Sequence, residues 1–394
     1  MKFYKSKSGL YLPDSSWQKS SIERLAKRAS VAVFVEMREL KGTKTQENAW
    51  AQALNKLEFT DIILTACKIN QVLYRHGQLD PLTQLKLSQE ILSHELFEIL
   101  KKVQNDYSLL QDDPYACRPV FMHLQSLNLI KRSYLYHSKI AERRINPPED
   151  MRSLHEFGEL LLSVSDFLTP SNHCKDRKSY LPAAMEFLRN SVFVNTPNFN
   201  KSLGRYYRLF FELPDKCAPG KFGNQNFAQL FESATGSHLD KFFSIGFGLM
   251  SQTVAIDFFG NTKEPNEEFI LEPKIYFKDS IVPKELWKPI IGNFGLTEPE
   301  MTKLIKDKHS ESHSVYELSA ISDFPLLECG SGRYVISHFP FLLDKFTNGV
   351  LRSILKYLEG PKDRRREFKA WWGQIVQKYV SDLFEQELLP LESL

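Results

Sequence analysis

Apolar residues recur at helical spacing through almost all of the first 168 residues, and that period constrains the fold more than any other feature. Ile22, Leu25, Ala26, Ala29, Val33, Phe34 and Met37 form one stripe, with Glu23, Lys27, Arg28 and Glu36 off it. A second helix is expected over 48–76, carrying Trp50, Leu54, Leu57, Ile62, Leu64, Ile69 and Leu73, with Gly77 placed to stop it. Asp80-Pro81 opens a third, because proline suits the first helical position. A fourth is expected over 120–144, ended by Asn146-Pro147-Pro148, and a fifth over 149–168. A chain of this pattern folds as a helical bundle or stacked array. No repeat of solenoid length accompanies it.

The texture changes after residue 168. Pro170, Pro182, Pro197, Pro214 and Pro219 interrupt shorter apolar runs, and 170–180 reads as a loop. Short helices are expected over 181–192, 203–211 and 227–250. Residues 253–259 and 268–277 read as strands, the second demoted to an edge by Pro273. Thr297 and Glu300 have capping-box spacing, and 324–337, with Gly330 and Gly332 between two apolar runs, reads as a hairpin before two final helices. The expectation is a mainly α protein with a small β component (α+β). It comprises a helical domain over 1–168, an irregular linker-rich segment over 169–222, and a mixed domain over 223–394.

A formal charge of +3 on 394 residues argues against a surface devoted wholly to nucleic acid, though local basic patches remain open. Twenty-nine phenylalanines imply an aromatic-rich core. The basic N-terminus lacks an apolar run of signal-peptide type, and no stretch reaches bilayer-spanning length. Five scattered cysteines then read as reduced thiols of a cytoplasmic protein.

Four constellations bear on chemistry. Asp257 with Glu272-Pro273-Lys274 has the order of a metal-dependent nuclease, in which two carboxylates hold Mg²⁺ and a lysine orients the attacking water; otherwise these are surface charges. His309 and His313 stand four apart, but in a serine-rich segment that reads as a loop, and no metal site is expected there. Basic residues gather twice: Lys131, Arg132, Lys139, Arg143 and Arg144 along the fourth helix, interleaved with Tyr134, Tyr136 and His137, and Arg364, Arg365 and Arg366 near the start of the last helix. Such clusters suit phosphate contact or an acidic partner; the plainer reading of the first is a solvated helix face. Trp371 and Trp372 are adjacent, so one is expected at an interface.

The hairpin runs Phe324-Pro-Leu-Leu-Glu-Cys and Arg333-Tyr-Val-Ile-Ser lead to Trp372-Gly373-Gln374-Ile375-Val376-Gln377-Lys378-Tyr379-Val380. This order resembles the segment just upstream of restriction-endonuclease-like (PD-(D/E)xK) nuclease domains in large prokaryotic phage-defence proteins. There the helix reads roughly Phe-Gly-x-x-Phe-Glu-x-Tyr-Val; Gln377 departs from that glutamate, and fourteen residues follow Val380. The run Leu64-Thr-Ala-Cys-Lys-Ile-Asn-Gln-Val-Leu-Tyr-Arg also resembles their early helical segments. The resemblance implies a non-catalytic helical sensor or scaffold that binds a protein partner, a second copy or nucleic acid, without membrane or cofactor. The alternatives are a Mg²⁺-dependent nuclease using Asp257, Glu272 and Lys274, and a plain nucleic-acid-binding protein.

Overall fold

The computed structural model describes residues 3–5, 11–13, 34–77, 80–110, 118–137, 151–168, 204–217, 221–255, 270–278, 282–312, 314–330, 332–359 and 362–388. Of the described residues 73% are helical, so the mainly α class with a small β part holds. Strands β1 (Phe3–Lys5) and β2 (Tyr11–Pro13) pair antiparallel. Helices α1 (Met37–Lys41), α2 (Glu47–Leu54), α3 (Phe59–His76), α4 (Pro81–Ile91), α5 (His94–Leu110), α6 (His123–Tyr136), α7 (Met151–Ser163) and α8 (Ser165–Leu168) follow.

The expected long helices are broken where polar side chains take over backbone groups. The 48–76 helix divides because Asn55 folds back and donates from Nδ2 to the Ala51 carbonyl at 2.7 Å, ending α2. The third divides at Leu92, which is extended (φ −100°, ψ 147°) and closes α4. Asp80 caps α4, accepting from the Thr83 amide at 2.8 Å, with Pro81 at the first position. Twelve of the fourteen residues of α6 are buried, so it is a central helix with no solvated face, and α3 packs along it.

The second half adds a π-helical turn at Arg208–Glu212, then α9 (Phe227–Thr235) and α10 (Leu239–Ala255), separated by Gly236 at φ 68°. Next come α11 (Pro273–Tyr276), α12 (Lys284–Gly292), β3 (Gly295–Leu296), α13 (Glu298–Ser312) and α14 (Ser319–Asp323). Strands β4 (Leu326–Glu328) and β5 (Tyr334–Ile336), and helices α15 (Phe339–Phe346), α16 (Asn348–Tyr357) and α17 (Lys362–Leu388), complete it. Glu300 reaches back to the Thr297 amide at 2.9 Å, the expected half of the capping box. The expected hairpin is β4–β5, with Leu326 opposite Ile336 and Leu327 opposite Val335, and β3 joins β4 in parallel.

Two expected strands are corrected. Residues 253–255 close α10, and 256–259 lie outside the described residues. In 268–277 Pro273 opens the helical turn α11, because its fixed φ and missing N–H suit a first helical turn better than a ladder. Among the described residues of that run only Leu271 keeps strand-like pairing, with two backbone bonds to Tyr334 at 2.7 and 2.8 Å.

Buried side chains gather into two cores. The first joins α1–α8 to Met301 and Ile305 of α13, so it extends past residue 168. The second is rich in aromatics, with Phe227, Phe231, Phe242, Phe294, Phe346 and Phe368. The β4–β5 hairpin stands between them: Leu327 and Val335 enter the first core, while Leu326 and Ile336 enter the second. Alternation along a strand sends successive side chains to opposite faces. No helix among the described residues is long and apolar enough to cross a membrane.

Candidate functional site

Helix α6 presents Asn128, Lys131, Arg132, Leu135 and Tyr136 on one stripe, since residues three and four apart share a helix face. This stripe forms one wall of a cleft of about 300 Å³. Lys44 and Glu47 close it at the start of α2, Asp166 and Phe167 from α8, and His309 and Val315 from α13 and beyond. Sequence-distant segments meet here because α8 is tied down by polar bonds. Asp166 accepts the amides of Arg38 (3.0 Å) and Thr45 (2.9 Å), and Ser165 Oγ accepts the Met37 amide (3.1 Å). The Asp166 carboxylate therefore ties the first turn of α1, through Arg38, to the approach to α2, through Thr45.

Arg132 is 8% exposed. Its guanidinium lies 4.2 Å from the Phe167 ring centre and 5.5 Å from Trp50, and Nη1 donates to Glu47 at 2.9 Å. Tyr136 donates its hydroxyl to the same Glu47 oxygen at 3.1 Å. Burial and the neighbouring Glu47 push the Tyr136 hydroxyl above the ordinary tyrosine value. Lys131 is 4% exposed, and its Nζ donates to the Ser314 carbonyl at 2.7 Å. Burial lowers its pKa to about 8; Glu317 pulls the other way and Arg132 adds to the depression. On its far side the lysine borders a cavity of about 10 Å³, with Ile305, Lys308 and Glu317. That volume holds about one water.

The structure corrects the reading of Lys131 and Arg132 as part of a solvated helix face: both are buried in the helical body and line the cleft. Arg132 pairs with Glu47 at 2.9 Å. Lys139, Arg143 and Arg144 lie outside the described residues, as does Asp257. Glu272 immediately precedes α11 and Lys274 lies within it, exposed, so the pair does not project from a strand. His309 belongs to the last turn of α13, so its segment is helix rather than the expected loop; His313 lies outside the described residues. Among the described residues no group of three or more His, Cys, Asp or Glu is placed to hold a metal ion.

The second basic cluster has a different setting. Arg364 and Arg366 are exposed on α17; the Arg364 guanidinium lies 5.9 Å from the Phe222 ring centre, and Arg365 pairs with Glu359 at 3.5 Å. Trp371 is buried and Trp372 half-buried, and both pack on Phe227, with centroid separations of 6.4 and 5.4 Å. Two neighbouring indoles share one internal cluster because their rings are large enough to straddle Phe227 from adjacent helix positions.

Lys44, Glu47, Asp166, Phe167 and His309 were not singled out for this site from sequence, except that His309 was weighed as a metal ligand. No linear signal links positions from 44 to 315; only the packing of α8 and α13 against α6 brings them together. The chain matches no protein-family model, no curated protein and no solved structure.

Proposed function

We propose that this chain is a non-catalytic sensor and scaffold protein of a prokaryotic antiphage-type defence system, which binds its trigger or partner through the cleft on α6. The observation that carries the reading is the cleft itself. It gathers Lys131, Arg132 and Lys44 between helices of the first core, next to α13. Through α13 an occupant of the cleft touches the element that packs on the β4 strand standing between the two cores. A ligand held there acts on both halves of the molecule, as sensing requires. The defence setting follows from the resemblance of the hairpin and of 372–380 on α17 to segments that precede nuclease domains. Cytoplasmic placement accompanies this reading.

The test is a phage-protection assay in cells carrying the gene with its native neighbours. Lys131→Met abolishes protection, while Asp257→Ala and Lys274→Ala protect as the wild type does. Protection lost with Asp257→Ala, together with Mg²⁺-dependent DNA cleavage by the purified wild-type chain, would replace this reading with the nuclease one.

A further inference from the structure

We infer that the α6 cleft is a binding site for a terminal phosphate monoester, held by the Lys131 and Lys44 ammonium groups. This rests on the proposed reading of the cleft as the ligand site and names the chemistry it recognises. The two carboxylates in the cleft wall are already engaged. Asp166 accepts two backbone amides, and Glu47 accepts from both Arg132 and Tyr136. Arg132 is likewise held by Glu47 and by the Phe167 ring. Lys131 donates to the Ser314 carbonyl, and neither it nor Lys44 has a carboxylate within 4.0 Å among the described residues. Two ammonium groups therefore line a polar opening whose carboxylates, Glu47 and Asp166, are bonded to other partners. A dianionic tetrahedral group satisfies both, because lysines act as adjustable point charges with several donors each. A cleft of about 300 Å³ stands at the small end of ligand pockets, with room for one phosphate and a modest organic group beyond it. Leu135, Val315 and Phe167 supply the apolar contact for that group.

Protonation gives the site a second signature. The charged and titratable groups around Lys131 are Arg132 and Tyr136 on its own helix, Lys44 before α2 and Glu47 on it, Asp166 from α8, Lys308 and His309 from α13, and Glu317 beyond it. With its pKa near 8, Lys131 carries its charge at pH 7 and has largely lost it at pH 9. Tyr136, shifted upward, stays neutral across that window. A bound dianion favours the charged lysine, so affinity falls about tenfold from pH 7 to pH 9.

The experiment is isothermal titration of the full chain with inorganic phosphate, adenosine, adenosine 5′-monophosphate, and a short single-stranded oligonucleotide with and without a 5′-phosphate. The monophosphate and the 5′-phosphorylated oligonucleotide bind, and adenosine and the unphosphorylated oligonucleotide do not. The tighter of the two phosphorylated probes tells a free metabolite from a nucleic-acid end. Lys131→Met weakens binding at least tenfold and removes the pH dependence, and Lys44→Ala, an exposed change that keeps the fold, weakens it several-fold. Equal binding by wild type and Lys44→Ala, or by adenosine and its monophosphate, overturns the assignment. So does wild-type chain that binds no phosphate probe. Binding of an acidic peptide in that last case would sink the phosphate chemistry and leave the cleft as the ligand site.

Discussion

At the scale of single residues, some positions are decided by a missing atom. A Cβ built on Gly246 would fall within the Phe346 ring, so α10 and α15 approach as they do only because residue 246 lacks a side chain. Gly246→Ala costs about 1–3 kcal/mol, the usual range for overpacking a core. Urea denaturation measures it, and an alanine variant as stable as the wild type would contradict the packing. Another residue-scale effect is electrostatic. His123 and His338 are buried with ring centres 4.5 Å apart; His123 Nδ1 lies 3.3 Å from Asn70 Oδ1, and Asn70 Nδ2 donates to the Ser337 carbonyl at 2.9 Å. Burial lowers the His123 pKa to about 3 and holds that of His338 well below the ordinary value, with His123 adding to the second effect. The unfolded chain therefore binds these protons first. The His123 contribution to stability is complete above about pH 6.5 and is lost as pH falls toward 3, by roughly 1.4 kcal/mol per unit, and His338 acts with the same sign. Asp61, pushed up to about 7 by burial and Glu58, acts with opposite sign between pH 7 and 4. Comparing wild type with His338→Leu isolates the histidine: the variant loses less stability per pH unit between 6 and 4. An unchanged slope would mean that His338 is not held neutral. Nothing in the sequence pairs His123 with His338, since 215 positions separate them.

At the scale of elements, the helix period was legible and the helix ends were not. Asn55 and Gly236 each stop a helix where the apolar stripe continues past them, because a local side-chain bond or a left-handed residue outweighs the stripe. Pro273 was read as weakening a strand; at a first helical position the same ring favours a turn, and α11 results. Helix α8 is only four residues long, and its weight lies in Asp166, which holds the first turn of α1 through the Arg38 amide and the approach to α2 through the Thr45 amide. Asp166→Ala leaves those donors without that acceptor and costs about 2–5 kcal/mol in all. Hydrogen exchange at the Arg38 and Thr45 amides quickens in step. Exchange unchanged at both would remove the physical basis for the cleft's shape.

At the scale of the whole molecule, the hairpin couples the halves. The first core joins buried residues of 34–168 to others of 301–335, and β4–β5 feeds alternate side chains to each core. Sequence showed the hairpin through its Gly330 and Gly332 turn; it could not show that both faces would be covered, since Leu326-Leu327 reads as one apolar run. Leu327→Ala removes a fully buried side chain at a cost of about 2–5 kcal/mol. Because the strand is shared, hydrogen exchange in increasing urea shows α3 and α10 losing protection at a common, lowered midpoint. Separate midpoints would show two independently stable units.

Ligand binding is proposed at the α6 cleft. The most direct measurement is hydrogen–deuterium exchange of the full chain with and without saturating adenosine 5′-monophosphate. Added protection confined to peptides spanning 44–47, 128–136, 165–168 and 309–315 is the predicted result. Protection centred instead on 362–369, around the exposed arginines of α17, or none at all, would contradict it.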